Sequence, residues 1–120
     1  MIDWDKVRYF RRHEFGQSGD IEPDAELVRL LDEARHYAGI PFVVTSGIRS
    51  PERNTEVGGA PTSAHLTGHA VDIRCPTSRH RHKILEAAMM VGFRRIGIGQ
   101  GFLHLDTDPA KAQDIIWLYD

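Results

Sequence analysis

Apolar positions recur along this chain with two different periods, and the places where the period changes divide it into elements. Between Pro23 and Gly39, the residues Leu27, Leu30, Leu31 and Ala34 follow the i, i+3, i+4, i+7 rule of a helix that buries one stripe. Gly39 stands where a helix C-terminus takes a left-handed residue. Pro41 to Thr45 is apolar and β-branched, which predicts a strand. Ser50-Pro51 supplies a capping hydroxyl and a first-turn proline for a short helix that Gly58-Gly59 ends. Ala70 to Arg74 alternates small or apolar residues with polar ones and reads as a strand. Thr77 or Ser78 then caps a helix carrying Ile84, Leu85, Ala88 and Met89 on one face, closed by Gly92. Strands follow at Arg94 to Ile98, Phe102 to Asp106 and Ile115 to Tyr119. The tight connection Gly99-Gln100-Gly101 joins the first two as an antiparallel hairpin. Near the start, Val7, Phe10 and Phe15 lie among charges and predict a short amphipathic helix from Asp5 to about Phe15, with a loop at Gly16 to Asp20.

The sum is an α+β fold: a small, mainly antiparallel sheet with helices packed on one face. No repeat, low-complexity tract or linker interrupts the 120 residues, so positions 1–120 read as a single domain, expected to be a monomer. A chain of this length buries a sizeable core without disulfides, and its lone cysteine, Cys75, is expected to be a buried, inert thiol. The net charge of −2 leaves no electrostatic footprint for nucleic acid or an anionic membrane. Arg79, His80, Arg81, His82 and Lys83 form one basic cluster, read as a solvated helix start. No stretch approaches the roughly 20 apolar residues of a membrane span. The N-terminal Met1-Ile-Asp-Trp-Asp-Lys is charged and is not a signal peptide, so the chain is expected to be cytoplasmic as synthesised. A substrate outside the cytoplasm would need another route of delivery, such as a phage-type release.

The chemistry concentrates in Ser63-Ala-His65-Leu-Thr-Gly68-His-Ala70-Val-Asp72 and in the downstream Phe102-Leu-His104-Leu-Asp106. Two imidazoles and one carboxylate can hold zinc and leave a coordination position open. Asp72 and His104 fall on predicted strands and His65 in the loop before one, so neighbouring strands would let the three converge. Period-two alternation puts His104 and Asp106 on one face. Gly68 and Ala70 are small enough for a sharp turn and close packing beneath a metal. Spacing alone does not establish the site in a chain with seven histidines.

Ser63-x-His65-x-x-Gly68-x-Ala70-x-Asp72 resembles the SxHxxGxAxD signature of the zinc peptidases of family M15. Val44-Thr-Ser-Gly-Ile-Arg49-Ser50 is similar to the family's TSGYRS segment, and Phe102 to Asp106 to its FVHLD end. Order and spacing agree from about Leu27 to Tyr119, nearest to the small single-domain branch found in phages and bacteria. The resemblance implies His65, Asp72 and His104 as zinc ligands. It also implies peptidoglycan stem peptides as substrate, cut by a D-alanyl-D-alanine carboxypeptidase or a murein endopeptidase. It gives Arg49 the task of binding the substrate or stabilising an oxyanion, against the alternative of a structural salt bridge. Ser63 either hydrogen-bonds within the metal loop or meets substrate.

The sequence departs from the family at the general base. Many members carry Glu-x-x-His, and here Gly101 occupies the glutamate position. Asp106 is the nearest substitute, either as the base or as a group orienting a ligand histidine. Gln100 and His69 are weaker candidates. The missing glutamate also supports a second reading, a catalytically inactive, zinc-stabilised domain that binds cell-wall peptide or serves in a phage particle. A third, a two-histidine phosphoesterase, has only half its signature, His65-Leu-Thr67, because the downstream copy is His104-Leu-Asp106.

Overall fold

The computed structural model describes residues 1–119. Helix α1 spans Ala25–Ala38; the Asp24 carboxylate caps it by accepting from Leu27 N–H, and Gly39 ends it in the left-handed region at φ 69°. Strand β1 is Val44–Ser46, helix α2 Pro51–Glu56 and strand β2 Ala70–Arg74. Helix α3 is Ser78–Val91, capped by Thr77 and closed by Gly92. Strands β3 (Arg95–Ile98), β4 (Phe102–Asp106) and β5 (Ile115–Leu118) complete the chain. The five strands form one sheet in the order β1-β2-β4-β3-β5, antiparallel except for the β3–β5 pair. The fold is therefore the α+β arrangement the pattern predicts.

Strand alternation divides labour between the two faces. Val71, Ile73, Leu103, Leu105 and Ile96 point to one side and share a core with Leu27, Leu31 and Ala34 of α1 and Ile84, Ala87 and Ala88 of α3. Their neighbours Asp72, His104, Asp106 and Arg95 are also buried, and period two turns them to the opposite side. Helices α1 and α3 thus cover one face, and the other, which α2 borders, is left for chemistry. Cys75 is buried in the core as expected, and burial pushes its thiol pKa up.

Three expectations need correction. The N-terminal helix from Asp5 to Phe15 does not form; two short 3-10 turns, Trp4–Lys6 and Arg12–Phe15, flank an extended stretch. The Arg8 and Tyr9 N–H groups donate to the Asp32 carboxylate on α1 at 3.1 and 3.0 Å, and that tertiary anchor replaces the helical ladder. The strand expected at Pro41 to Thr45 begins at Val44, with an irregularity in its register between Val44 and Ser46. Phe42 is instead buried in the core. On α3, Met89 is exposed and Ala87 takes its place in the buried stripe.

Candidate metal centre

Asp72 and His104 are directly opposed across the β2–β4 ladder, which brings residues far apart in sequence side by side. His65 arrives from a separate element, the 3-10 turn Ala64–Thr67. The Ser63 hydroxyl caps this turn by accepting from His65 N–H at 3.2 Å, and Gly68 ends it in the left-handed region at φ 78°. Arg49 N–H donates to the His65 carbonyl at 3.0 Å, tying the turn to the segment after β1. A donor atom from each of His65, Asp72 and His104 lies within 4.8 Å of the other two, and all three residues are buried.

The contacts behind each ring decide which nitrogen faces inward. His65 Nδ1 lies 2.7 Å from the Gly47 carbonyl oxygen, which can only accept, so Nδ1 carries the proton and Nε2 is left bare. His104 Nε2 lies 2.6 Å from Asp106 Oδ2; in the neutral ring that donates to this carboxylate, Nδ1 is bare. These two bare nitrogens face the same oxygen: Asp72 Oδ1 is 3.3 Å from His65 Nε2 and 3.1 Å from His104 Nδ1. Lone pairs turned toward a carboxylate repel unless a proton or a metal cation lies between them. Four tetrahedral donors at zinc's bond length of about 2.0–2.1 Å stand about 3.3 Å apart, the spacing seen here. Both ring tautomers and the donor spacing fit a divalent cation.

Burial on its own raises the pKa of Asp72, but positive charge on its His104 and His65 side, whether a ring proton or a metal ion, outweighs it and holds the carboxyl well below its ordinary range. The second oxygen of Asp72 takes Arg49 Nη2 at 3.3 Å. Arg49 also donates to Ser46 Oγ at 3.0 Å and to Asn54 Oδ1 at 3.3 Å, so its guanidinium is clamped at the edge of the site. Asp106 is almost wholly buried; burial raises its pKa, and His104, the Asp108 N–H and Arg95 together lower it further than burial lifts it. Its Oδ1 accepts from Arg95 Nε at 2.7 Å and from Asp108 N–H at 3.1 Å.

The site opens into a cleft of about 560 Å³ whose wall includes Arg49, Ser63, Lys111, Phe102, Trp117 and Tyr119. Of the two roles open to Asp106, its contacts are those of a group that orients His104. Neither Gln100 nor His69 is part of the wall. His69 Nδ1 pairs with Thr67 Oγ1 at 2.8 Å instead. That contact engages the hydroxyl a phosphoesterase reading would need, and Thr67 also lies outside the cleft. Gly101 is not part of the wall either. Sequence reasoning missed Arg95, Lys111, Trp117 and Tyr119. The only available signal was alternation along β3 and β5, which sets Arg95, Gly97 and Trp117 on the face of His104.

An α+β sheet thus carries, on the face away from α1 and α3, a His-Asp-His cluster able to hold a metal ion. The profile of the peptidase M15 family matches residues 9–106, and the chain belongs to that family. Among curated proteins it is similar to the zinc D-Ala-D-Ala carboxypeptidase of Streptomyces albus G, with 38% identity over 73 residues. The match covers 60% of this chain and 28% of that relative, so the chain aligns with only a minor part of it.

Proposed function

We propose that residues 1–120 form one zinc metallopeptidase unit that hydrolyses stem peptides of peptidoglycan, as a D-alanyl-D-alanine carboxypeptidase or a murein endopeptidase. One observation carries the reading: the bare nitrogens of His65 and His104 both face Asp72 Oδ1, each with its other ring nitrogen held by an acceptor. His65 Nε2, His104 Nδ1 and the Asp72 carboxylate would hold the metal. Zinc bound there supplies a Lewis acid for the peptide carbonyl and lowers the pKa of water at the open position to about 7.

The rest is done by side chains. The Gly47 carbonyl and the Asp106 carboxylate fix the two rings, and buried Arg95 keeps Asp106 ionised and in place. Asp106 acts as a positioning residue, since both its oxygens are occupied. Arg49 is clamped by Ser46, Asn54 and Asp72 with its guanidinium on the cleft wall. It binds a substrate carboxylate or the charge that develops on the carbonyl oxygen. The Ser63 hydroxyl accepts from His65 N–H, and its own proton remains available to substrate.

Incubation of zinc-loaded protein with muropeptides, followed by mass spectrometry, tests this. Loss of one terminal alanine identifies a carboxypeptidase, and an internal cut an endopeptidase. Unchanged muropeptides in the presence of bound zinc would overturn the peptidase reading. They would support instead a metal-stabilised peptide-binding domain, which the full engagement of Asp72 and Asp106, the cleft's carboxylates among the described residues, favours.

A further inference from the structure

Once the committed groups are set aside, one proton-bearing side chain on the cleft has no assigned task. Asp72 is shared by His65, His104 and Arg49, and Asp106 by His104, Arg95 and the Asp108 N–H. The Lys111 ammonium donates to the Asp108 carboxylate and to the Thr62 carbonyl. Tyr119 remains. Its N–H donates to the Ile98 carbonyl at 2.9 Å, which extends the β3–β5 ladder by one bond and fixes the backbone. Gly97 pairs with His104 on one side and with Trp117 on the other. A Cβ there would fall 2.5 Å from Tyr119 Cε2 and 2.8 Å from the Trp117 indole. The absent side chain lets both rings lie across β3 toward His104, with centroids 5.4 Å (Trp117) and 6.2 Å (Tyr119) from the imidazole. Phe102 packs on Tyr119 from the other side at 5.2 Å. Phe102 and Trp117 thus flank the ring, which stays 43% exposed at the mouth of the cleft.

We propose that the Tyr119 hydroxyl donates a hydrogen bond to the scissile carbonyl oxygen of the substrate as that oxygen gains negative charge. Burial raises the pKa of this phenol above its ordinary value; a hydrogen bond with Trp117 and the charge of Arg49 oppose the rise, and the charges of Asp72 and Asp106 add to it. The hydroxyl thus keeps its proton at neutral pH. The ring centroid, 6.2 Å from that of His104, sets it beside the metal centre. Such a donor acts on the transition state and leaves ground-state binding almost untouched. The inference rests on the peptidase reading above.

The test is Tyr119→Phe, which keeps the ring and its packing and removes only the hydroxyl. The probe is a phosphinate isostere of the stem-peptide bond that the muropeptide digest shows to be cut. The expected result is a fall in kcat of about 100-fold with KM unchanged. Phosphinate affinity should fall by the same factor, while affinity for the cleaved product and for zinc stays at the wild-type value. Wild-type kcat and phosphinate affinity in Tyr119→Phe would overturn the proposal while leaving the peptidase reading intact. A parallel loss of zinc affinity or thermal stability would make Tyr119 structural and overturn it as well. A wild-type protein that cuts no muropeptide bond would remove the peptidase reading and this inference together.

Discussion

Asp106 shows how much one buried side chain can settle about its neighbours. A carboxylate with almost no solvent contact is costly unless every lone pair is used. Here Arg95 Nε and the Asp108 N–H occupy one oxygen and His104 Nε2 the other. The arrangement holds the His104 ring in one orientation, with Nδ1 turned to Asp72. Arg95 is itself stacked over Trp117 at 4.9 Å and donates to the Ala112 carbonyl at 2.6 Å, so the support behind the ligand is continuous. Replacing Asp106 by Asn preserves shape and removes the charge that holds both the imidazole and the guanidinium. Zinc affinity should fall about 10- to 100-fold, as measured by competition with a chromophoric chelator. Unchanged affinity combined with lost activity would restore Asp106 as the general base.

At the scale of elements, the metal-bearing turn depends on one backbone position. Gly68 ends the Ala64–Thr67 turn at φ 78°, and its carbonyl accepts from Asp24 N–H at 2.8 Å, at the cap of α1. A Cβ at Gly68 would lie 2.3 Å from the Glu22 carbonyl oxygen. Gly68→Ala therefore meets both a left-handed φ and a backbone clash, and should lower the stability of the zinc-free protein by about 1–3 kcal/mol or more in urea denaturation. A loss under about 0.5 kcal/mol, the size of an ordinary surface substitution, would mean that the approach to Glu22 relaxes at no cost. The elements readable in the sequence were those with local punctuation. Pro23 and Gly39 bracket α1, whose cap the structure places at Asp24; Ser50-Pro51 opens α2, and Thr77 and Gly92 bound α3. Each end is set by a cap that needs no distant partner. The N-terminal segment failed as a helix because its backbone donors go to Asp32, 23 and 24 residues away, which no local period reveals. The same division holds in the site. The convergence of His65, Asp72 and His104 was legible from motif and strand alternation. The aromatic wall of Trp117 and Tyr119 was not, because it depends on the parallel pairing of β5 with β3, a long-range choice.

For the molecule as a whole, the question is whether the metal makes the fold or uses it. The apolar core lies between the sheet and helices α1 and α3, on the face away from the metal ligands. The ligands sit on β2, on β4 and on a turn that Gly47, Arg49 and Ser63 already hold by hydrogen bonds to protein atoms. Among the described residues the only buried side-chain polar atom without a partner is Arg81 Nε, far from the ligands in sequence. A zinc finger, whose core is too small to stand alone, unfolds without metal; this chain has 18 buried residues in one hydrophobic cluster and should not. Removal of zinc should leave the far-ultraviolet circular dichroism unchanged and lower only Tm. With free zinc about 1,000-fold above its Kd, linkage stabilises the folded state by about 4 kcal/mol, a shift on the order of 10 °C for a domain of this size. The His104→Ala variant should lose most of that shift, because two remaining ligands bind zinc poorly. If the chelator-treated wild type were unfolded at 25 °C, the metal would be a determinant of the fold. If zinc shifted Tm equally in wild type and His104→Ala, the cluster of His65, Asp72 and His104 would not be where the metal binds.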